Sequence, residues 1–224
     1  MQLKYHSAAE EKGIYIISAC GVDCIPTDLG VAFLQQKFIG TLNSVDIYLE
    51  LWEEGEKTPG PAINYGTWES AVYILAHVKE LKTLRRQLFT TPLPNFKPKL
   101  EPNGGLFSHQ HPSEEKIEAF WFSATLYGEG WKESLPDAND AYVIPVNRAL
   151  CAKVKGRNPA YGSTCVCLVL SAITLITESD KMPPGGGVYP PGFAFAKTSL
   201  VEQLNENGVT FEIVFEKDLH FPKH

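Results

Sequence analysis

Polar and titratable side chains gather around one turn near the start of the chain, which reads Asp-Cys-Ile-Pro-Thr-Asp at residues 23–28. Residues 15–18 are apolar or β-branched and predict a short buried strand before the turn, and a helix is predicted after it. A strand, a tight turn and a helix start form a βα unit, and ligands of open α/β sheets lie at the carboxyl ends of the strands. We therefore expect a bound molecule beside Cys24, Ile25 and Pro26.

The same turn has plainer interpretations. Asp28 suits the start of a helix, where a carboxylate complements the dipole, and Asp23 suits a hydrogen bond within a turn. Cys20 and Cys24 would form a redox pair or half of a metal site, or they are small buried thiols beside a strand end. No further ligand residues at a suitable spacing complete a metal site, so no metal and no catalytic residue are predicted.

Aromatic residues concentrate on the middle elements of the chain. One interpretation is that they pack a sheet and its helices; the other is that they line a pocket for a small apolar or aromatic molecule, a pigment for example. The candidates for such a pocket are Tyr48, Trp52, Tyr65, Trp68, Trp121 and Tyr127.

Hydrophobic periodicity predicts an α+β fold, or a mixed-sheet α/β fold. Helices are predicted over residues 1–11, 28–38, from Thr67 to about 88, 164–176 and from Ser199 to Gly208. Strands are predicted over residues 15–18, 44–52, 118–128, 147–155 and 209–215. Residues 91–112 contain repeated prolines and a glycine pair, which predict a long linker without regular structure.

Composition narrows the class of protein. The chain has 224 residues and a formal net charge of −6, which gives no electrostatic basis for binding nucleic acid. The polar start is not typical of a signal peptide, and no apolar stretch is expected to be long enough to span a membrane. The five cysteines then indicate reduced thiols. We expect a soluble cytoplasmic protein with no membrane insertion.

Three motifs carry a resemblance to a known family. They are GVDCIPTDLG at residues 21–30, GTWES at 66–70 and GGGVYPPGFAFAKTSLVEQLNENGVTF at 185–211. Together they resemble the saccharopine dehydrogenase-like oxidoreductases. The resemblance implies an N-terminal Rossmann domain that binds NAD(P), then a mixed α/β domain for substrate binding and dimerisation, with the C-terminal tail returning to the first domain.

The first departure from the family is the missing Gly-rich βα turn of the nucleotide-binding half. Backbone N–H groups of that turn hold the pyrophosphate, and Gly185-Gly186-Gly187 lacks the preceding strand and following helix that such a cradle needs. No cofactor is therefore expected, and NAD(P) is not expected to bind. The expected organisation is one compact domain over 1–224. In it, residues 1–40 and 185–224 are remnants of a truncated Rossmann domain, and residues 41–184 form the mixed α/β sheet domain.

The second departure lies at residues 93–115. Some animal members that resemble lipid-droplet proteins carry a long apolar, membrane-associating insert there, whereas this chain has a polar, proline-rich segment. The difference again favours a soluble protein.

Truncation has a consequence for assembly. The strands beginning at Tyr15 and Val209 would lack neighbouring strands in the sheet. Exposed apolar edges cause aggregation unless they are covered, so a homodimer that covers them is expected. Three functions follow as hypotheses. The chain is a non-catalytic relative that binds a small apolar ligand, an NAD(P)-dependent oxidoreductase remnant or fragment, or a structural or interaction protein whose dimer is the function.

Overall fold

The computed structural model of the chain describes residues 1–56, 60, 62–89, 91, 107–108, 113–135 and 142–219. The helices are α1 (Gln2–Glu11), α2 (Gly30–Lys37), α3 (Tyr65–Ala76), α4 (Val78–Leu88), α5 (Glu114–Ala119), α6 (Thr164–Thr177), α7 (Pro191–Ala194) and α8 (Leu200–Glu206). The strands are β1 (Tyr15–Ile17), β2 (Thr41–Glu53), β3 (Ile63–Asn64), β4 (Phe107–Ser108), β5 (Phe120–Trp131), β6 (Arg148–Arg157), β7 (Gly187–Tyr189) and β8 (Val209–Asp218). These elements confirm the predicted α+β fold.

A four-stranded antiparallel sheet in the order β2-β5-β6-β8 forms the framework of the molecule. Alternate residues of its two central strands face a core, and Ala124, Leu126 and Val154 among them are fully buried. The face opposite carries Trp121, Tyr127 and polar neighbours, which are partly exposed. The sheet therefore has one face in the core and one half-wet face.

The predicted turn and helix cover the core face. Residues Ile25–Leu29 form a π-helical turn that runs directly into α2, with Pro26 at its start. Ile25, Leu29 and Leu34 are buried to 1% exposure or less and join the same cluster as Leu126. The tail extends this cluster through other fully buried side chains, among them Phe195, Leu200 and Leu204.

A separate two-stranded sheet pairs β1 with β7 in parallel, joining Tyr15 to Gly187 and Ile17 to Tyr189. This pairing links residues 1–40 to residues 185–224. The strand β8 departs from that assignment, because it pairs with β6 in the four-stranded sheet. Residues 185–224 are thus shared between the two sheets.

The helix predicted over 164–176 is present as α6, entered through Asn158, whose side-chain oxygen accepts a hydrogen bond from the Gly162 N–H at 3.0 Å. Its inner side packs against the core through the half-buried Val166 and Leu170. The buried side chains are the small Cys167, Ser171 and Thr174, whereas an apolar stripe faces outward. The stripe contains Leu168, Val169, Ile173 and Ile176, with exposures between 45% and 79%.

The expectation that no apolar stretch reaches spanning length is wrong for one helical segment. Pro159–Thr177 covers 19 residues with a mean hydropathy of 1.8, so by length and composition it is sufficient to cross a membrane. Only 22% of that window is buried. Core helices of water-soluble proteins meet the same length and composition criteria, so this property alone does not indicate a membrane span.

The helix predicted to begin at Thr67 is two helices that meet at His77. Asn64 rather than Thr67 caps α3, with its Oδ1 accepting a hydrogen bond from the Gly66 N–H at 2.9 Å. No residue of α3 or α4 is buried, so the apolar residues whose periodicity predicts a helix there do not pack into the core.

Two further expectations need correction. The strand β2 alternates as predicted, and Val45 and Ile47 pack against the core, but Leu49 and Leu51 beyond them are 65% and 43% exposed. The linker predicted over 91–112 lies almost wholly outside the described residues. Within it, Phe107 and Ser108 form a strand that pairs in parallel with β3, so the segment is not entirely without regular structure.

Candidate functional site

The sequence-predicted ligand residues do not form one site. Ile25 and Pro26 are fully buried in the core, where neither side chain can contact a ligand. They lie on the core face of the four-stranded sheet, because Ile25 shares a cluster with Ala124 and Leu126. The aromatic candidates of β2 and β5 project from the opposite face. The sheet itself separates the two groups.

The thiols around the turn are in environments that keep them protonated. Burial, followed by the neighbouring Asp23 and Asp28 carboxylates, raises the pKa of Cys24. Burial also raises the pKa of Cys20, and it raises that of Cys167 to about 12. A redox or nucleophilic cysteine needs a thiolate, so these environments favour the interpretation of small, unreactive thiols, with Cys20 and Cys24 half-buried and Cys167 buried.

The aromatic candidates divide into two groups. On the half-wet sheet face, Trp52 stacks on its cross-strand partner Trp121 with ring centroids 6.3 Å apart. Tyr127 lies 6.2 Å from Phe215 on the same face, and Tyr48 there is 51% exposed. These contacts are typical of cross-strand pairs that stabilise a sheet.

The second group lies on α3. The rings of Tyr65 and Trp68 are 5.1 Å apart, and Trp68 is 40% exposed. The nine predicted residues therefore occupy three places: the core and its border, the half-wet sheet face, and α3.

The structure places a groove elsewhere, on the outer side of α2, against residues 190–196. It has a volume of about 280 Å³. Its lining is formed by Asp28, Val31, Ala32, Gln35, Gln36, Pro190, Gly192, Phe193 and Ala196. The groove is thus adjacent to the predicted turn but opens beside Asp28 rather than beside Ile25 and Pro26.

A hydrogen bond between two of the sequence motifs builds one wall of this groove. The Asp28 Oδ2 accepts from the backbone N–H of Gly192 at 2.5 Å. A Cβ atom at residue 192 would overlap the Asp28 carbonyl group, so the approach requires glycine. The side chain of Gln36 donates a second bond to the Ala196 carbonyl. Both bonds fix the 190–196 segment against α2.

The groove is chemically simple. Val31, Ala32, Pro190 and Phe193 give it apolar walls, and the 59% exposed ring of Phe193 lies 5.2 Å from that of Tyr189. Its one carboxylate, Asp28, already accepts a structural hydrogen bond. This arrangement suits a small apolar molecule held by contact with aliphatic and aromatic groups.

Sequence reasoning missed these lining residues, although it singled out both segments that supply them. Val31 and Ala32 follow the GVDCIPTDLG motif, and Phe193 lies within the tail motif. The signal that could have located the groove is the pairing of the two motifs. Residues 28 and 192 are distant in the chain, so spacing alone does not reveal their contact.

A phosphate cradle and a metal site are two other kinds of site that the sequence raises. The backbone N–H of Gly187 donates to the Ile14 carbonyl at 2.9 Å, so it serves strand pairing rather than a phosphate cradle. Within the described part of the chain, no group of three or more His, Cys, Asp or Glu side chains could hold a metal ion.

Comparisons with known proteins find relatives over nearly the whole chain. The human saccharopine dehydrogenase-like oxidoreductase is 27% identical over 305 aligned positions, which cover 98% of this chain and 69% of the human protein. The lipid droplet localized protein of Caenorhabditis elegans is 25% identical, covering 98% of this chain and 71% of that protein. A probable mitochondrial saccharopine dehydrogenase-like oxidoreductase of Arabidopsis thaliana is 24% identical, with coverages of 96% and 69%.

The relatives are longer than this chain within the aligned region. The 305 positions matched to the human protein exceed the 224 residues of this chain, so that relative carries segments inside the matched region that the chain lacks. No family model matches the chain. No solved structure matches it either.

Proposed function

We propose that this chain, which is similar to the saccharopine dehydrogenase-like oxidoreductases, is a non-catalytic relative of them that binds a small apolar molecule. The groove between α2 and residues 190–196 carries this proposal, because it has apolar walls and lies beside the motif that the family resemblance rests on. A pigment is one class of molecule that fits such walls. We therefore propose Val31, Ala32 and Phe193 as ligand-binding residues in place of the aromatic residues on the sheet face.

The chemistry of the groove supports binding without catalysis. A general acid or base needs a titratable group free to exchange a proton with the substrate. Asp28 is the titratable residue of the lining, and its Oδ2 is occupied by the Gly192 N–H. The raised pKa values of Cys20 and Cys24 oppose a thiolate mechanism nearby. The five free thiols support a reducing compartment, and we propose the cytoplasm.

The test is to identify a co-purifying molecule by native mass spectrometry and by the absorbance spectrum of the purified protein. We expect an added mass that is lost in Val31→Trp, because the indole fills the groove. Val169→Trp is the matched control, since Val169 is 54% exposed on the outer side of α6. An added mass that persists in Val31→Trp would place the ligand elsewhere.

The competing function is an NAD(P)-dependent oxidoreductase remnant, which the names of the relatives favour. Titration of the intrinsic fluorescence with NADH and with NADPH separates the two. Tight, saturable binding of either dinucleotide would contradict a non-catalytic apolar carrier.

We also propose that the protein is a homodimer. The support is the outer half of the edge strand β8, where Ile213, Val214 and Phe215 are 39%, 52% and 40% exposed. Covering such an edge with a second copy removes unpaired backbone groups and apolar surface from water. Light scattering at micromolar concentration should return twice the chain mass. A monomer under these conditions would contradict the dimer, and with it the hypothesis that dimerisation is the function.

A further inference from the structure

We propose that α4 binds an anionic phospholipid surface and lies in its plane, a role separate from the groove and from the dimer. The helix stands apart from the core. Its main contacts among the described elements are with α1 and α3, and none of its residues is buried.

Apolar side chains form a stripe along α4. Val78, Leu81, Leu84 and Leu88 recur at three- and four-residue spacing, which places them on one side of a helix. Each is between 36% and 40% exposed, so the stripe is partly accessible to solvent. Moving an exposed apolar stripe of this kind from water into an apolar phase is favourable.

The charges of α4 indicate which kind of apolar phase the stripe would enter. The helix carries Lys79, Lys82, Arg85 and Arg86 against a single acidic residue, Glu80, whereas the whole chain has a net charge of −6. At 100° per residue, Lys82 and Arg86 border the apolar stripe and Arg85 lies within it. None of the ion pairs found among the described residues includes these four cations.

A neutral apolar partner would bury the apolar stripe but would provide no negative charge for the four basic residues. An anionic lipid surface satisfies both, because the stripe enters the acyl boundary while the long basic side chains extend to the phosphates. The acidic remainder of the chain is repelled by such a surface, which orients the molecule with α4 towards it.

The preceding helix also exposes apolar residues. Tyr73, Ile74 and Leu75 at the end of α3 are between 60% and 71% exposed and lie directly before the bend at His77. Trp68 at the other end of α3 has an apolar ring and a polar N–H, a combination enriched at lipid–water boundaries. Such a helix lies on a membrane and does not cross it.

The test is co-sedimentation of the full chain with vesicles of phosphatidylcholine alone and of phosphatidylcholine mixed with phosphatidylserine. We expect binding to the mixed vesicles that weakens at high salt. Lys82→Gln and Arg86→Gln should each reduce the affinity about fivefold, because one basic residue near an anionic surface contributes about 1 kcal/mol. Lys153→Gln, which removes one charge from the four-stranded sheet, is the matched control and should leave the affinity unchanged.

The apolar part of the proposal has its own variant. Leu81→Gln should also release the protein from the mixed vesicles, and circular dichroism checks that each variant is folded. Equal binding to both vesicle types, or no binding to either, would overturn the proposal. Binding to polyglutamate that survives in Leu81→Gln would also overturn it, because the partner would then be an acidic protein.

Discussion

Asp28 joins two parts of the chain that sequence spacing does not bring together. Its Oδ2 accepts the Gly192 N–H at 2.5 Å and so holds the tail against α2. Asp28→Ala leaves that N–H without its partner, and we expect the free energy of unfolding to fall by about 1–3 kcal/mol. Urea denaturation measures the loss. Asp23→Ala removes the neighbouring exposed carboxylate and should change stability by less than about 0.5 kcal/mol.

Asp28→Asn separates the hydrogen bond from the charge. The amide retains an acceptor oxygen, so most of the stability should return. If Asp28→Asn and Asp28→Ala destabilised the protein equally, the carboxylate charge rather than the hydrogen bond would be the cause. If neither changed stability, the contact between the two motifs would contribute nothing to folding.

Glu178 makes the stability of the tail depend on pH. Hydrogen bonds from the Ser199 hydroxyl, then from Lys181 and from the Ser199 N–H, lower the pKa of its carboxyl group to about 2. A depressed pKa contributes stability above the unfolded value, and that contribution is lost as the pH falls through the folded value. The stability difference between the wild type and Glu178→Gln should therefore be constant above pH of about 5 and shrink towards pH of about 2.

Thermal unfolding followed across this pH range measures the difference. Glu206→Gln changes an exposed carboxyl on α8 and is the matched control, with a much smaller dependence on pH. A difference that grew as the pH fell would contradict the role assigned to Glu178.

Individual elements were predictable where the signal is local. The Asn158-Pro159 start of the segment leading into α6 and the alternation of β5 follow from capping and from the period of a strand, and both are present. The start of α8 shows the limit. Ser199 and Glu202 have the spacing of a capping box, yet the Ser199 side chain makes no cap bond, and the Ser199 N–H donates to Glu178 at 2.9 Å. The carboxylate of Glu178, 21 residues earlier in the chain, thus accepts a hydrogen bond at the start of this helix in place of a capping box.

What each element packs against was not predictable from its own residues. The pattern of α4 indicates a helix with an apolar side, but its neighbours decide whether that side is covered. The pairing of β8 with β6 was likewise not predictable, because pairing between strands is non-local. The sequence directs a candidate site to the turn beside Ile25, whereas the groove opens beside Asp28, because the tail that completes it is far away in sequence.

The fully buried residues of α6 are small, whereas several of its larger apolar residues are exposed, so substitution effects there should run against hydrophobicity. Ser171 is 3% exposed against neighbouring elements, so Ser171→Leu overpacks the site and should cost about 1–3 kcal/mol. Ile176 is 79% exposed, so Ile176→Ser should change the free energy of unfolding by less than about 0.5 kcal/mol. Chemical denaturation of the two variants compares them directly. The reverse order would mean that the apolar stripe, and not the small side chains, faces the core.

At the scale of the whole molecule, the sheet and the tail share one core. Leu126 of β5 and Leu200 of α8 are both 0% exposed and belong to the same cluster, although one lies in the middle of the chain and the other near its end. The two-stranded sheet joins that cluster through Tyr15, Ile17 and Tyr189, which pack against it. The parts expected to be Rossmann remnants and the parts expected to be a sheet domain should therefore unfold together.

Leu126→Ala and Leu200→Ala test this unity. Each should lower the free energy of unfolding by about 2–5 kcal/mol, because a large buried side chain is removed and a cavity is left. Both should shift a single transition to lower urea concentration with an unchanged slope, since the surface exposed on unfolding stays the same. Leu168→Ala deletes a 56% exposed leucine from the outer side of α6 and is the control. A second transition that moves in Leu200→Ala alone would mean that the tail unfolds independently, and the shared core would then not hold the molecule together as one unit.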